Sequence, residues 1–288
     1  MVEPLLSLLL FGIVPLTSSQ PSTAMQAPVV TVARPVTSVV SAGMSPLTLS
    51  GSLTAKSVVV MDLDSAQILF QQAEREVRPM ASLTKLMTAL VVAEEYDMST
   101  WATVPSEVRT STGSLLYLYP GQQYTIGDFL KGLLVQSGND AAVSLAVIHS
   151  GSEASFVSTM NERAQSLGLT QTSFANPTGL DDPRQYSSAQ DLAWLALHVL
   201  RHPELRERLN LPQAQMFSRD RRTINLNNTH QLIGEDATVV FGKTGTTDEA
   251  GQCLLTVVER GDRTSIVVLL GSEDRYADMR VLLEALKN

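Results

Sequence analysis

Between Met80 and Glu95 the chain carries a run that is apolar on almost every face of a helix. Leu83, Leu86, Met87, Leu90 and Val91 follow helical spacing, while Ala81, Ala89, Val92 and Ala93 fill the remaining faces. Such a helix has no face to give to water, so the rest of the fold must be wrapped around it. Pro79 suits its first turn. Lys85 is the exception in the run, since lysines are rarely buried without a partner. It stands at i+3 from Ser82, which puts both side chains on one face within reach of each other. Burial disfavours the ammonium form, and so do the positive helix N-terminus and a second cation such as Lys243. All three push Lys85 toward a neutral amine that can take the proton of Ser82 Oγ. Ser82 at the helix start also leaves free backbone N–H groups near a developing oxyanion. Taken alone, the same spacing describes a serine cap and a lysine that snorkels to water.

Two further motifs follow. Ser137-Gly138-Asn139-Asp140 lies between an apolar helical run, Phe129 to Val135, and another, Ala141 to Ile148. On its own it describes a turn in which Asn139 or Asp140 caps the next helix. Beside Ser82 and Lys85 it offers Ser137 Oγ as a proton shuttle and Asn139 as a side chain that both donates and accepts hydrogen bonds. Thr238 to Phe241 is β-branched and aromatic, and Gly242-Lys243-Thr244-Gly245-Thr246 follows directly. Alone, that reads as a strand ending in a glycine turn with an exposed lysine. In a site, Gly245 lets another backbone approach closely, Lys243 holds an anion, Thr244 hydrogen-bonds a carboxylate and Thr246 N–H serves as an oxyanion donor. A substrate lying along this edge is bound by strand addition.

Each motif is common, but the three in this order, on helix, loop and strand, make an accidental match remote. They supply a nucleophile, a base one helical turn away, a hydroxyl-and-amide relay and a cationic strand edge. That is the inventory for acyl transfer through a serine ester without a histidine, and penicillin-binding proteins and class A β-lactamases share it. The chain resembles the low-molecular-mass penicillin-binding proteins, the serine-type D-Ala-D-Ala carboxypeptidase family, from about Ala55 to its C-terminus. Arg78 to Ala89 looks like the family's nucleophile helix, and Phe174-Ala175-Asn176-Pro177-Thr178-Gly179-Leu180 looks like its mid-domain signature. Lys243 to Gly251 looks like its strand and following turn. The resemblance implies Ser82 as acyl-ester nucleophile, Lys85 as proton acceptor, and Ser137 and Asn139 as the rest of the central site. It places Lys243, with Thr244, Gly245 and Thr246, at the terminal carboxylate of the substrate. The substrate it implies is a peptidoglycan stem peptide, with water as final acceptor, β-lactam antibiotics as inhibitors, and no metal or organic cofactor.

Many family members carry a second, β-rich domain and end in an amphipathic membrane anchor. Here the stretch between Gly245 and Asn288 fits two strands and a final helix, so no anchor is expected. Ala250-Gly251-Gln252-Cys253-Leu254 is similar to the D-Ala endopeptidase branch, which cuts D-Ala–diaminopimelate cross-links, and both activities stay open. A class A β-lactamase needs a glutamate four residues before an asparagine. In Arg206-Glu207-Arg208-Leu209-Asn210 that place holds Arg206, in a helical segment, and the reading is rejected. An alternative of another class is a catalytically idle penicillin- or peptidoglycan-binding module, against which the retained Ser82 and Lys85 speak. His198 and His202 have an i, i+4 spacing but no glutamate base or third ligand, and His202 before Pro203 reads as a helix end. His149 and His230 have no visible partner and read as surface or loop residues.

The net charge of −8 argues against a nucleic-acid partner. Cys253 is the single cysteine, so no internal disulfide forms, and its strand-like surroundings predict a buried thiol. Leu5 to Leu16 is too short to span a membrane. With Ser22-Thr23-Ala24 as a small-residue cleavage site, residues 1–24 read as a signal peptide, though Met1-Val2-Glu3 lacks positive charge. Export to the periplasm or exterior, in association with the cell wall, follows. Residues 25–54 read as a flexible Ser/Thr/Pro-rich linker, and residues 55–288 as the catalytic domain. That domain reads as α+β. A hairpin is expected over Ser57 to Leu63 and Gln67 to Gln71, then the Met80 helix and a mostly helical middle from Thr125 to Leu209. Strands follow at Val239 to Lys243, Gln252 to Glu259 and Ser265 to Leu270, and a last helix over Arg275 to Leu286. By the resemblance these assemble into an antiparallel sheet with flanking helices plus a mostly helical subdomain, the β-lactamase/transpeptidase-like fold.

Overall fold

The apolar run does become the centre of the molecule, but not as one uniform helix. In the computed structural model, which describes residues 47–287, it opens with a 3₁₀ turn, Ala81–Thr84, and passes into α1 (Lys85–Glu95). Ala81 has φ +48°, a left-handed conformation, and its carbonyl accepts from Thr84 Oγ1 at 2.9 Å. The tight first turn follows from that local geometry and sets Ser82 apart from the regular helix behind it. Leu83, Leu86, Met87, Ala89 and Leu90 are buried, each aliphatic side chain contributing about 1.5–3 kcal/mol of burial.

Along the chain the elements are β1 (Ser57–Asp62), β2 (Ile68–Gln72), α1, β3 (Trp101–Thr103), β4 (Gln123–Thr125), α2 (Ile126–Leu134), α3 (Asn139–Ser150) and α4 (Glu153–Ser166). Then come α5 (Ala189–Leu200), α6 (Pro203–Leu209), β5 (Gln213–Phe217), β6 (Thr223–Asn227), β7 (Val239–Thr247), β8 (Gly251–Arg260), β9 (Arg263–Ser272) and α7 (Arg275–Ala285). Five strands form one antiparallel sheet in the order β2-β1-β9-β8-β7, so the two ends of the described chain meet at the β1–β9 pair. β1 shows why both faces are covered. Val59 and Met61 point into the core shared with α1 to α5, whereas Val58 and Val60 join the second core with Met279, Leu282 and Leu283 of α7. Alternate residues of a strand serve opposite faces, and here both are apolar. This is the α+β architecture expected above.

Three differences from the sequence-based expectations have physical causes. The pairs β3–β4 and β5–β6 were not foreseen, since these strands are short and mostly exposed and carry little apolar alternation. β7 does not stop at Lys243: it runs on to Thr247, with Lys243 opposite Leu255, Gly245 opposite Cys253 and Thr246 opposite Gln252. Its glycines mark close packing rather than a turn. A Cβ on Gly242 would lie 2.4 Å from Leu255 O, and one on Gly245 would lie 2.9 Å from Ser82 N. Finally, the expected linker does not stay free up to Thr54. Leu47, Leu49 and Leu53 pack on the second core, and buried Asp278 accepts from Thr54 N, Thr54 Oγ1 and Ala55 N at 2.8–2.9 Å. The expected signal peptide, residues 1–24, and the rest of the linker lie outside the described residues. No helix among the described residues is long and apolar enough to cross a membrane.

Candidate active site

Ser82 lies in the 3₁₀ turn and Lys85 begins α1, so their oxygen and nitrogen, Oγ and Nζ, come within 2.9 Å. The amine is fully buried, with two more neighbours: Asn139 Oδ1 accepts from Nζ at 2.7 Å and the Thr178 carbonyl at 2.5 Å. Burial, with Lys243 as second cause, holds its pKa well below the ordinary lysine value, while Asp140 pulls the other way. The amine is therefore biased toward the neutral, proton-accepting form. The helix–turn–helix link from α2 to α3 brings in the second motif. Ser137 has φ +61° and Gly138 N donates to Gly132 O, turning the chain sharply at the end of α2. A non-glycine residue in that region costs about 1–3 kcal/mol, which surrounding structure must offset.

From β7, Lys243 reaches across to Ser137, donating to its Oγ at 2.8 Å and to Thr244 O at 2.9 Å. It too is buried, and burial, then the charge of Arg275, lowers its pKa to about 7. Ser82, Lys85 and Asn139 thus form one hydrogen-bonded group and Ser137 with Lys243 a second, close enough for the charge of Lys243 to act on Lys85. β7 is an edge strand of the main sheet, packed with Gly245 against Ser82 N, and Thr246 is exposed beside it. Thr244 Oγ1 donates to Thr229 Oγ1 at 2.6 Å.

Several parts of the site had no sequence signature. Asp140, which with Asn139 was a cap candidate only if the segment were a plain turn, accepts from Leu116 N and Leu118 N at 3.0 Å and so holds the loop that meets Asn139. There Asn139 Nδ2 donates to Thr112 O at 2.6 Å. Arg275, half-buried, donates to Gly245 O at 2.9 Å and Cys253 O at 3.0 Å, and its other nitrogen contacts Thr246 Oγ1. It stands at the first position of α7, where a cation is electrostatically disfavoured, and that misfit was the one available clue. Arg275, joined by Lys243 when that amine is protonated, makes this end of the strand edge cationic.

The histidines need two corrections. His230 is buried, not a surface residue: Nε2 lies 2.8 Å from Thr256 Oγ1, the ring backs Gly242, and burial lowers its pKa to about 3. His149 packs between Tyr96 and Phe156 with Nε2 3.0 Å from Glu95 Oε2. Their partners come from other elements, invisible to local spacing. His202 does stand at a helix end, accepting at its carbonyl from Leu205 N and Arg206 N. Arg206 to Leu209 is helical in α6, as read. Cys253 is buried in β8, and burial pushes its thiol up to about 11. Among the described residues no group of His, Cys, Asp and Glu could hold a metal ion.

A family profile described as D-alanyl-D-alanine carboxypeptidase matches residues 42–274. The chain is 36% identical over 239 residues to D-alanyl-D-alanine carboxypeptidase DacF of Bacillus subtilis, covering 80% of this chain and 61% of that one. To D-alanyl-D-alanine carboxypeptidase DacC of Escherichia coli it is 36% identical over 236 residues, covering 77% and 58%. It thus spans about three fifths of the length of these curated relatives. The crystal structure of D-alanyl-D-alanine carboxypeptidase from Mycobacterium tuberculosis superposes with a TM-score of 0.78 at 28% identity, covering 85% of this chain and 94% of that one.

Proposed function

The chain belongs to the D-alanyl-D-alanine carboxypeptidase family, and on that premise we propose that it is a serine hydrolase that removes the terminal D-alanine from peptidoglycan stem peptides through an ester on Ser82. The observation that carries this reading is the Lys85 amine, buried, biased toward neutrality and 2.9 Å from Ser82 Oγ. The peptide lies along β7 by strand addition. Its terminal carboxylate meets the cationic end of that edge, where Arg275 and the protonated form of Lys243 supply charge, Thr246 Oγ1, which accepts from Arg275, donates its own hydrogen, and Thr244 Oγ1 joins on releasing Thr229. Arg275 extends the set read from the sequence.

In the first half-reaction Lys85 Nζ takes the Ser82 proton, and Oγ attacks the carbonyl of the penultimate D-alanine. The oxyanion is held by Ser82 N–H, against which Gly245 packs, and by the N–H of Thr246, the next residue of β7. The C–N bond breaks as the leaving amine gains a proton. Ser137, held by Lys243, relays it: its Oγ hydrogen passes to the amine and is replaced by the proton that Lys85 took from Ser82, which leaves Lys85 neutral again. D-alanine leaves, and water, activated by Lys85, hydrolyses the ester. Penicillins enter the same route as acylating inhibitors, and their esters persist because no β-lactamase-type glutamate serves the water. The substrate places the enzyme outside the cytoplasmic membrane, at the cell wall.

Incubation with a soluble pentapeptide ending in D-Ala-D-Ala should release one D-alanine per peptide with wild type and none with Ser82→Ala. Cleavage of a D-Ala–diaminopimelate cross-link without release of terminal D-alanine would replace this reading by an endopeptidase.

A further inference from the structure

We propose that Asn176 is a positioning residue for the lysine base: its side chain shapes the turn whose Thr178 carbonyl, together with Asn139, takes up both hydrogens of the neutral Lys85 amine and aims the lone pair at Ser82. The inference rests on the acyl-transfer reading above and adds a residue to it.

Asn176 is the node of the Asn176-Pro177-Thr178-Gly179 turn. Its Oδ1 accepts from Thr178 Oγ1 and Gly179 N at 2.8 Å and from Thr178 N and Gln185 Nε2 at 3.2 Å, while Nδ2 donates to Leu180 O at 3.0 Å. Buried Gln185 braces it by accepting from Ala175 N and Asn176 N at 3.0 Å. Pro177 O accepts from Thr88 Oγ1 at 2.8 Å, which ties the turn to α1 one turn beyond Lys85. Gly179, at φ +91°, seats against the carbonyl of Ala81. The Thr178 carbonyl is thereby held 2.5 Å from Lys85 Nζ.

Counting hydrogens gives the consequence. A neutral amine has two hydrogens and one lone pair. The Thr178 carbonyl can only accept. Asn139 also presents an acceptor, because its Nδ2 is committed to Thr112 O at 2.6 Å. Both amine hydrogens are used, so the third neighbour, Ser82 Oγ, faces the lone pair and must donate its own hydrogen. On transfer the Ser82 O–H bond breaks and an N–H bond forms. The electron pair left on Oγ attacks the substrate carbonyl, and the new ammonium has three hydrogens for the same three oxygens. No group has to turn at the moment of reaction. The charged groups acting on this amine are Lys243 on β7 and Asp140 on α3, and neither is altered by changes at Asn176.

The experiment is the second-order rate of acylation by a penicillin, per active site, from about pH 5 to about pH 10, for wild type, Asn176→Ala and Thr178→Val. Asn176→Ala should lower the plateau by about 100-fold. It should also move the acid limb to lower pH, because a carbonyl acceptor stabilises the ammonium more than the amine. Thr178→Val keeps the carbonyl and removes the Oγ1 bond to Asn176, together with the longer one that Oγ1 accepts from Leu180 N at 3.3 Å, so it should show the same two changes in smaller measure. It carries the test alone if Asn176→Ala does not fold. A folded variant with the wild-type rate and an unmoved acid limb overturns the inference, as does a loss that merely tracks the folded fraction. If wild type itself forms no ester at Ser82, the proposed function falls and this inference with it.

Discussion

A single methyl group at position 179 should displace the nucleophile. Gly179 has φ +91°, and a Cβ placed there would lie 2.1 Å from Ala81 O, 2.5 Å from Ala81 C and 2.8 Å from Ser82 N. Ordinary contact begins at 3.4 Å, and all three neighbours are backbone atoms of the turn that carries Ser82, so no side chain can rotate out of the way. Two costs combine in Gly179→Ala. The left-handed conformation costs an L-residue about 1–2 kcal/mol, and overpacking a tight site costs about 1–3 kcal/mol. Relief of the overlap has to come from moving Ala81 and Ser82 by about 1 Å, a displacement worth about 100-fold in a reaction that depends on positioning. Urea unfolding should therefore show a loss of about 2–5 kcal/mol, and the folded fraction should be acylated by a penicillin about 100-fold more slowly. A stable variant acylated at the wild-type rate would refute the reasoning, because it would show that the turn at Gly179 does not set the place of Ser82.

Three other perturbations separate chemistry from stability. Lys85→Ala should cut acylation by about 10²–10⁴-fold, the range of a lost general base, while circular dichroism stays native; an unchanged rate would remove Lys85 from the base role. Lys243 has a folded-state pKa of about 7 against 10.5 for an ordinary lysine, so between those values the unfolded chain holds a proton that the folded chain has released. Stability is then fully present above about 10.5 and falls as pH drops toward about 7, with Lys85 adding in the same sense. Urea unfolding at about pH 7 and about pH 10 should show wild type gaining on Lys243→Met, and a flat difference would mean that Lys243 keeps its charge. Asp278→Ala should cost about 2–4 kcal/mol in the same assay, by leaving the buried donors of Thr54, Ala55 and Ser272 without their acceptor. Its acylation rate should stay near that of wild type, since the side-chain partners of Asp278 are Thr54, Ala55 and Ser272, none of which touches Ser82 or Lys85.

What could be read from the chain in advance was whatever depends on short spacing. Ser82 and Lys85 meet because i and i+3 share a helix face, and the apolar, β-branched run from Ser57 reads as a strand because its residues suit one. Gly245 does admit the close backbone approach expected of it, at the Ser82 turn, but the end of the strand was placed too early: Gly242 and Gly245 both lie inside β7, which runs on to Thr247. The acceptor on Lys85 could not be seen at all. It is a backbone carbonyl at Thr178, contributed by a turn 93 residues away, and a carbonyl has no residue type to betray it. Arg275 and His230 were hidden for a related reason, since their partners on β7 and β8 lie far from them in sequence and reach them only in the folded chain.

The central claim is that Ser82 becomes an ester with Lys85 as its base, and intact-mass spectrometry after incubation with a penicillin tests it most directly. Wild type should gain one adduct of the drug's mass and lose it slowly, and Ser82→Ala should gain none. A folded wild-type protein that stays at its unmodified mass would contradict the claim and leave the chain as a binding module with its motifs intact.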